Sequence, residues 1–521
     1  MKLLRQGKSS ASGNPSQSMR TTTGNGIDTS RTIHFTFDGR RYAAHPGDTL
    51  ASALLANGVR LAGRSFKYHR PRGILSAGAE EPNALVELRT GARREPNSRA
   101  TVTELFDGLE AASQNRWPSL AMDALGINGV FSPVFTAGFY YKTFMWPAAF
   151  WEKVYEPMIR RAAGLGRAAD EADPDIYEKA TTFCDVLVVG TGPAGLAAAL
   201  TAGRTGARVL VCEQDSLPGG RLRAEHGEIG GMPGWQWAEQ AMDELRQMPE
   251  VRIMTRTCVF GTYDGGTYGA LERVADHVPT PAPDQPRQRL WRIVARHAIV
   301  ATGGIERPIV FPNNDRPGIM LAGAVRTYIN RFGVTPGQRA IVYTNNDDGL
   351  RTARDLHRAG ATVAAIVDAR TTGTPLARDM AQLTGAKLFM GGAIADTYGR
   401  LGIHAAVIRE HSGLTQRVPC DLVAMSGGWN PELSLTTHQR TKPVYDETLC
   451  AFVPGTMPAG MRSAGVANGT FATPDCLREG ATCGQDAALA CGFSATVADL
   501  PAAGTESYAI VPLWHALPLD R

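Results

Sequence analysis

The sequence of 521 residues lacks the features that mark several classes of protein. Its eight cysteines form no Cys-x-x-Cys pair and match no common zinc or iron–sulfur spacing. No apolar run reaches the roughly 18 residues of a membrane-spanning helix. With 54 Lys and Arg against 50 Asp and Glu, an excess of one charge is also missing. We therefore expect no metal site, no membrane span and no nucleic-acid partner, and the scattered cysteines indicate a reduced, cytoplasmic protein.

The first thirty residues lack the apolar segment of a secretory signal. They are rich in Ser, Thr, Gly and Asn, so we expect them to be disordered. The length of the chain beyond them allows roughly three to four domains.

The most informative stretch is Asp185–Gly195, where an apolar strand leads into Gly-x-Gly-x-x-Gly at Gly190, Gly192 and Gly195. The first glycine permits the turn, the second lets the backbone approach a pyrophosphate, and the third lets helix and strand pack closely. Pro193 and Ala194 then open a helix whose free N–H groups favour an anion. The pattern predicts a dinucleotide site.

An acid follows in the expected place. The strand 208–212 ends in Glu213, where a carboxylate would accept hydrogen bonds from an adenosine ribose. Gln214 and Arg221 are predicted to flank the adenosine edge. An arginine there favours a 2′-phosphate, but Glu213 repels one, so NAD is preferred over NADP.

Other segments are expected to complete the pocket. A buried strand ends in glycines beside the cofactor, and the last helix points toward the nicotinamide. The predicted cofactor contacts from these segments are Val259, Ala301, Thr302, Gly303, Phe471, Thr473 and Leu477. No sequence pattern indicates a nucleophile or an acid–base pair of carboxylates, so no catalytic residue is predicted.

A second strand–turn–helix–strand unit runs from about residue 338 and copies the layout of the first. Its turn reads Thr-Asn-Asn-Asp-Asp-Gly, which places Asp347 and Asp348 where phosphates would lie. Like charges near a desolvated pyrophosphate repel. This half is predicted to be degenerate and empty.

Paired nucleotide halves, the Ala301-Thr-Gly-Gly strand end and a returning C-terminal segment resemble the two-dinucleotide-domain flavoproteins. In that superfamily the first half usually holds FAD, and a Gly-Asp pair in the returning segment grips the ribityl chain. The matching stretch here, Gly465–Gly469, has no acid.

A closer resemblance covers nearly the whole chain. It lies in Gly47–Gly58, in Arg64-Ser-Phe-Lys-Tyr-His-Arg-Pro-Arg-Gly73, in Gly138–Pro147 and in Asn314–Gly323. Together these motifs resemble the N-terminal half of the α subunit of heterotetrameric sarcosine oxidases, without its aminomethyltransferase-like folate half. The folate module is then expected on a separate chain or not at all.

The resemblance implies NAD in the first half, FAD in a partner β subunit and FMN at the boundary between the two. Smaller subunits complete such a hetero-oligomer, and sarcosine or a related secondary amine is demethylated in the partner. Arg64, Lys67 and Arg70 are then expected to clamp the FMN phosphate.

The predicted fold is α/β, with paired Rossmann-like halves after a ferredoxin-like domain that has lost its cluster, since residues 60–84 hold no cysteine. Aromatic residues crowd the stretch from Phe131 to Tyr155, which predicts either a small core or a surface that another subunit covers. The predicted divisions are a leader (1–30), the ferredoxin-like domain (31–99), an aromatic-rich interface segment (100–180), the first half (181–335), the second half (336–445) and a return to the first half with a tail (446–521).

Two other functions stay open. One is a free-standing NAD(P)H-dependent FAD oxidoreductase, which needs FAD in the first half and a nicotinamide in the second. The other is a non-catalytic scaffold subunit that NAD merely stabilises.

Overall fold

The computed structural model describes residues 17–21, 24–130, 145–162, 164–494 and 500–516. The first unit is a five-stranded mixed sheet with one covering helix and a small hairpin. Its elements are β1 (Ile33–Phe37), β2 (Arg40–Ala44), α1 (Leu50–Ala56), β3 (Leu61–Arg64), β4 (Pro71–Gly73), β5 (Leu85–Leu88), β6 (Glu95–Arg99) and β7 (Leu109–Ser113). The sheet order is β2-β1-β7-β5-β6, and β3 pairs with β4.

The predicted end of this unit at residue 99 is wrong. β7 lies in the middle of the sheet, so the unit extends past residue 99 and into the segment that was assigned to the interface. Part of the leader is also ordered, because Arg20 forms an ion pair with buried Asp48 at 2.6 Å and Gly26 N–H donates to the Arg331 carbonyl. Residues 1–16, 22 and 23 lie outside the described residues.

The loop between β4 and β5 is organised around one carboxylate. Glu81 is 1% exposed. Its Oε2 accepts from the amides of Leu75 (2.9 Å) and Ser76 (2.7 Å), and its Oε1 from those of Asn83 (2.8 Å) and Ala84 (3.0 Å). Burial raises the pKa of Glu81, and these four amides oppose the rise. The turn therefore closes on a buried carboxyl group supplied by the chain itself.

The segment after β7 exposes many apolar side chains. Trp117 is 64% exposed and Trp146 83%, and Phe150, Trp151 and Met158 are also exposed. A short helix, α2 (Glu156–Ala162), ends this stretch. The six aromatics from Phe131 to Phe144 lie outside the described residues. The described side chains of this segment are thus exposed, and a covering subunit stays a prediction.

The first half is a seven-stranded sheet with helices on one face. Its elements are β8 (Tyr177–Val189), α3 (Pro193–Gly203), β9 (Val209–Cys212), β10 (Glu228–Ile229), β11 (Met232–Pro233), α4 (Gly234–Gln247), β12 (Val251–Met254), β13 (Thr257–Tyr263), β14 (Thr267–Glu272), β15 (Gln288–Val300) and β16 (Gly304–Glu306). The strands β12, β9, β8 and β15 run parallel in that order, and β14 and β13 follow antiparallel.

The second half repeats a parallel core. Its elements are β17 (Ile319–Leu321), α5 (Ala322–Asn330), β18 (Arg339–Thr344), α6 (Asp347–Arg358), β19 (Thr362–Asp368), α7 (Pro375–Thr384), β20 (Lys387–Met390), β21 (Ala393–Gly399), β22 (Ile403–Arg409), β23 (Thr415–Pro419), β24 (Leu422–Ser426) and β25 (Trp429–Pro431). The order β17-β24-β18-β19-β20 is parallel throughout, and β21 to β23 form a separate antiparallel sheet.

The chain then returns to the first half. The returning elements are α8 (Ser434–Thr437), β26 (Val444–Asp446), β27 (Ala451–Val453), β28 (Met461–Ser463) and α9 (Thr473–Ala490). β28 adds to β15, and α9 packs on α3 through glycines: a Cβ at Gly480 would lie 2.0 Å from the Ala194 carbonyl oxygen. The predicted α/β class is thus confirmed. Among the described residues, no helix is both long and apolar enough to cross a membrane.

We predict that Glu81→Ala destabilises the chain by about 2–4 kcal/mol, because four buried N–H groups lose their acceptor. Thermal unfolding followed by circular dichroism measures the effect. Glu80→Ala, at the exposed neighbouring position, is the control and should change stability by less than about 0.5 kcal/mol. Equal unfolding temperatures for the two variants would contradict the role of Glu81.

Candidate functional site

A cavity of about 710 Å³ opens at the carboxyl ends of the parallel strands of the first half. Because adjacent parallel strands end at one edge, Glu213 after β9, the glycine turn after β8 and Ala301 after β15 stand in a row along its wall. In open α/β sheets this edge is where ligands bind.

The three glycines of the turn differ in what surrounds them. Gly190 has φ +98°, and a Cβ there would lie 2.4 Å from the Ala301 carbonyl oxygen. A Cβ at Gly195 would lie 2.0 Å from the Gly190 oxygen, so this glycine allows the helix to pack against the turn. At Gly192 a Cβ would meet no atom within 4 Å. The fold therefore needs Gly190 and Gly195, whereas the space at Gly192 belongs to the cavity.

The N-terminus of α3 faces this space without a side-chain cap. Gly192 is its N-cap, Pro193 has no N–H to satisfy, and the amides of Ala194 and Gly195 precede the first intrahelical donor, Leu196. Uncapped N–H groups and the helix dipole together stabilise an anion. The arrangement can bind a pyrophosphate.

Glu213 lies in the cavity wall and is 7% exposed. Its Oε2 accepts from the Thr191 N–H at 2.8 Å and from the Thr191 hydroxyl, and its Oε1 accepts from the Asp215 N–H at 2.8 Å. Burial raises the pKa of this carboxyl, and these hydrogen bonds oppose the rise. Oε1, which accepts a single bond, retains capacity for a further donor such as a ribose hydroxyl.

Arg221 is not available in the way that the sequence suggests. It lines the cavity, but its Nε bonds Glu225, its Nη2 bonds Glu506 (both 3.0 Å), and its Nη1 donates to the Phe471 carbonyl. The guanidinium already pairs with two carboxylates, which removes the argument for a 2′-phosphate at this arginine. Gln214 does line the cavity.

The structure brings most of the predicted contacts together. Those that line the cavity are Gly190, Gly192, Pro193, Ala194, Glu213, Gln214, Arg221, Val259, Ala301, Thr302, Gly303 and Phe471. Gly195 lies behind the cavity wall, where it allows α3 to pack against the glycine turn. Thr473 and Leu477 are not among the residues that line the cavity, and Leu477 is 1% exposed and packs in the core between α9 and α3. Their contact with a cofactor stays a prediction.

The turn of the second half is covered by the chain itself. Asp347 pairs with Arg370 at 2.7 Å and accepts from the Ala509 N–H at 3.0 Å. Asp347 N–H in turn donates to the Ala509 carbonyl. The Asn345 carbonyl accepts from the Val511 N–H, and the Asn345 side-chain amide donates to the Val511 carbonyl at 2.9 Å. Residues 507–513, which we call the strap, thus lie over the N-terminus of α6, where a phosphate would otherwise bind. No sequence pattern predicted this contact.

The strap also borders the first-half cavity. The Tyr508 ring stacks on Phe471 with centroids 4.3 Å apart, and its hydroxyl accepts from the Trp429 N–H. Beyond it the cavity is lined by Glu306 and by Asp348, which pairs with Arg326 at 2.8 Å. This polar end could not be predicted from the sequence, because its residues come from elements that no motif marks.

The basic loop lies away from the cavity and its charges have partners. Arg64 donates to the carbonyls of Leu120 and His69. Arg70 holds Asp315 with two bonds of 2.6 Å, and Arg72 meets the same carboxylate at 2.6 Å. Lys67 lies over the Tyr68 ring at 5.1 Å. The three predicted residues therefore do not form a phosphate clamp of uncommitted charges. Among the paired arginines of this loop, Arg70 is the most exposed, with 44% of its side chain accessible.

We predict that Gly192→Ala weakens dinucleotide binding about tenfold or more, since the added methyl stands where the pyrophosphate would approach. The unfolding temperature without ligand should stay nearly unchanged because the site is open. Gly195→Ala is the matched contrast: its Cβ overlaps the Gly190 carbonyl, so it should lower stability itself. Calorimetric titration with NAD and thermal unfolding separate the two, and a Gly192→Ala variant with undiminished affinity would contradict the account.

Comparison with known proteins gives two family matches. Residues 30–116 match a 2Fe-2S iron-sulfur cluster binding domain, and residues 185–262 match an FAD dependent oxidoreductase family. The first match includes β7, in agreement with the corrected boundary.

A solved structure shares the overall fold. The crystal structure of L-proline dehydrogenase from P. horikoshii superposes with a TM-score of 0.60 and 17% identity, over 90% of this chain and 75% of that one. At this identity the likeness concerns the fold.

Proteins related in sequence are more similar to this chain. The sarcosine oxidase subunit alpha of Rhizobium meliloti (strain 1021) is 53% identical over 87% of this chain and 46% of its own length. That of Corynebacterium sp. (strain P-1) is 37% identical over 92% of this chain and 45% of its own length. The chain thus spans about half the length of these relatives, and over that half it is a homologue of the sarcosine oxidase α subunits.

Proposed function

We propose that the chain is the NAD-binding, α-type subunit of a multi-subunit, flavin-dependent amine oxidoreductase. The complex would oxidatively demethylate sarcosine or a related N-methyl amino acid, with the reaction at flavins held in, or shared with, a β-type partner. The observation that carries the proposal is the open glycine cradle in a chain 53% identical to a sarcosine oxidase α subunit.

NAD rather than FAD is proposed for the first half because of the returning segment. Gly465–Gly469 contains no acid. Glu479 of α9 comes close, but it accepts from the Gly465 N–H at 2.7 Å and from the Asn468 side chain, and it does not line the cavity. No carboxylate of this loop is thus free to hold a ribityl chain. The match to an FAD-dependent family ends at residue 262, within the part that both dinucleotides use.

An iron–sulfur cluster does not fit the first unit, although residues 30–116 match a cluster-binding family. The sequence has no cysteine before Cys184. The loop amides that surround Glu81 are already taken by its carboxylate. Among the described residues no group of three or more His, Cys, Asp or Glu could hold a metal ion. We infer a ferredoxin-like unit that works without a cluster.

The chain's own residues would hold cofactors and cover the partner rather than react with the amine. The exposed apolar side chains at Trp117, Met122, Ile127 and Trp146 lie within a single stretch of chain next to the first unit. Arg64 joins this stretch to the basic loop through the Leu120 carbonyl. Large exposed apolar patches mark interfaces, and Arg70 of the same basic loop, with its side chain 44% exposed, suits a phosphate at the boundary. This face is proposed to meet the β subunit and the FMN.

A free-standing NAD(P)H-dependent FAD oxidoreductase is the second candidate, and the strap argues against it. That enzyme needs a nicotinamide nucleotide on the second half. Here Ala509 bonds Asp347 at the N-terminus of α6, and Asp347 and Asp348 are both in ion pairs. A nucleotide bound there would have to displace both the strap and the two carboxylates. The scaffold hypothesis shares the same NAD site and differs only in whether NAD is reduced.

Co-expression with the genes of candidate partners tests the assignment. We expect a complex that releases NAD, FMN and FAD on denaturation and oxidises sarcosine or a related secondary amine. The isolated chain should bind NAD and no flavin. A yellow, FAD-loaded chain that oxidises NADH by itself would establish the second candidate instead. A flavin-containing complex whose bound NAD never turns over would favour a structural role for NAD.

We predict that Arg70→Ala reduces the FMN content of the complex, since a charge-assisted bond to phosphate contributes about 1.5–3 kcal/mol. NAD content should be unchanged because Arg70 lies outside the cavity. Arg204→Ala, which breaks an exposed pair with Glu244, is the control. Flavin and nucleotide released from each purified complex are quantified by chromatography. Full FMN occupancy in the Arg70 variant would remove the basic loop from the flavin site.

A further inference from the structure

We propose that Glu306 recognises the carboxamide of the nicotinamide at the far end of the cavity. The inference rests on the proposed function in one respect, that NAD lies in the first half. It adds a specific residue to a part of the site that no motif marks.

Glu306 is held in place by one oxygen only. It ends β16, a short strand that begins two residues after Thr302, and its side chain is 6% exposed in the cavity wall. Oε2 accepts from the Gly323 N–H at 2.7 Å, which caps the otherwise uncapped N-terminus of α5. Oε1 is buried and has no hydrogen-bond partner. A buried polar atom without a partner is costly, so a ligand group that bonds it gains affinity.

The order of the strand ends places the nicotinamide near this oxygen. Glu213 fixes the adenosine side at β9, and the glycine turn fixes the pyrophosphate at β8. A dinucleotide in that orientation runs on past Ala301 at the end of β15. Thr302, Gly303 and Glu306, which follow Ala301 in the chain, also line the cavity, as do Gly465 and Phe471. The second nucleoside therefore lies in the part of the cavity that contains Glu306.

The chemistry of Glu306 matches an uncharged acceptor. Burial raises the pKa of Glu306 to about 8, against the opposing effect of the Gly323 amide, so the carboxyl is mainly protonated at neutral pH. Because Oε2 accepts from an amide, the proton belongs on Oε1, which can then donate. The nearby cation Arg326 is already paired with Asp348 and Asp355. It therefore does not compete with Oε1 for a hydrogen-bond acceptor on the ligand. A carboxamide oxygen is an acceptor of the required kind.

The test compares three dinucleotides on the full chain after removal of any resident nucleotide. They are NAD, its acetylpyridine analogue, which keeps the carbonyl, and its pyridine analogue, which lacks the carboxamide but keeps the charged ring. We expect the wild-type chain to bind the first two about 3- to 10-fold more tightly than the third, as one hydrogen bond provides. This arm needs no substitution.

Two variants connect the preference to the residue. Glu306→Ala should bind all three dinucleotides equally. Glu306→Gln should keep the preference, because its amide can accept from Gly323 and donate to a carbonyl. Calorimetric titration gives the affinities, and thermal unfolding shows whether each variant is folded.

The possible outcomes distinguish the role of Glu306 from the proposal that NAD binds in the first half. If the wild-type chain binds all three equally well, Glu306 does not contact the carboxamide, while NAD in the cradle stands. If the wild-type chain binds none of them, both proposals are wrong. If the chain instead binds FAD and Glu306→Ala weakens that binding, the distal group is a flavin and the nicotinamide assignment is overturned.

Discussion

The close packing of α3 against the glycine turn is the constraint on which the site depends. A side chain at Gly195 would overlap the Gly190 carbonyl, and one at Gly480 or Gly484 would overlap the backbone of α3 from the other side. Small residues on both faces therefore fix the height of α3 above the sheet. This places its uncapped N-terminus at the strand ends, and it brings the start of α9, with Phe471 just before it, to the same cavity. The geometry of the cradle is thus a consequence of packing.

The other units complete the cavity rather than forming sites of their own. The first unit contributes the loop 77–80, held by the buried Glu81 carboxylate, and α5 contributes Gly323 and Arg326. The second half uses its helix N-terminus to anchor the strap, through bonds between Asp347 and Ala509. In this chain the second half therefore holds a segment that borders the cavity of the first.

The local elements of the first half were predictable from the sequence because the signal is local. The apolar run, the three glycines and Glu213 appear in chain order, and β8, α3 and β9 form where the pattern places them. The position of β7 was not predictable, since its neighbours in the sheet, β1 and β5, are distant in sequence. The ion pairs of Arg70 with Asp315 and of Arg221 with Glu506 join residues far apart in the chain. Patterns of charge within a loop cannot indicate such partners, and for that reason both arginines seemed freer than they are. The role of Glu306 was equally unpredictable from the sequence, because only the fold brings this residue to the cavity.

A crystal structure of the chain after incubation with NAD tests the central claim most directly. The account predicts electron density for a dinucleotide whose pyrophosphate lies within hydrogen-bond distance of the Ala194 and Gly195 amides, with its adenosine ribose at Glu213. Density for a nucleotide on the second half beneath the strap, or a first-half cavity without a dinucleotide at saturating NAD, would contradict it.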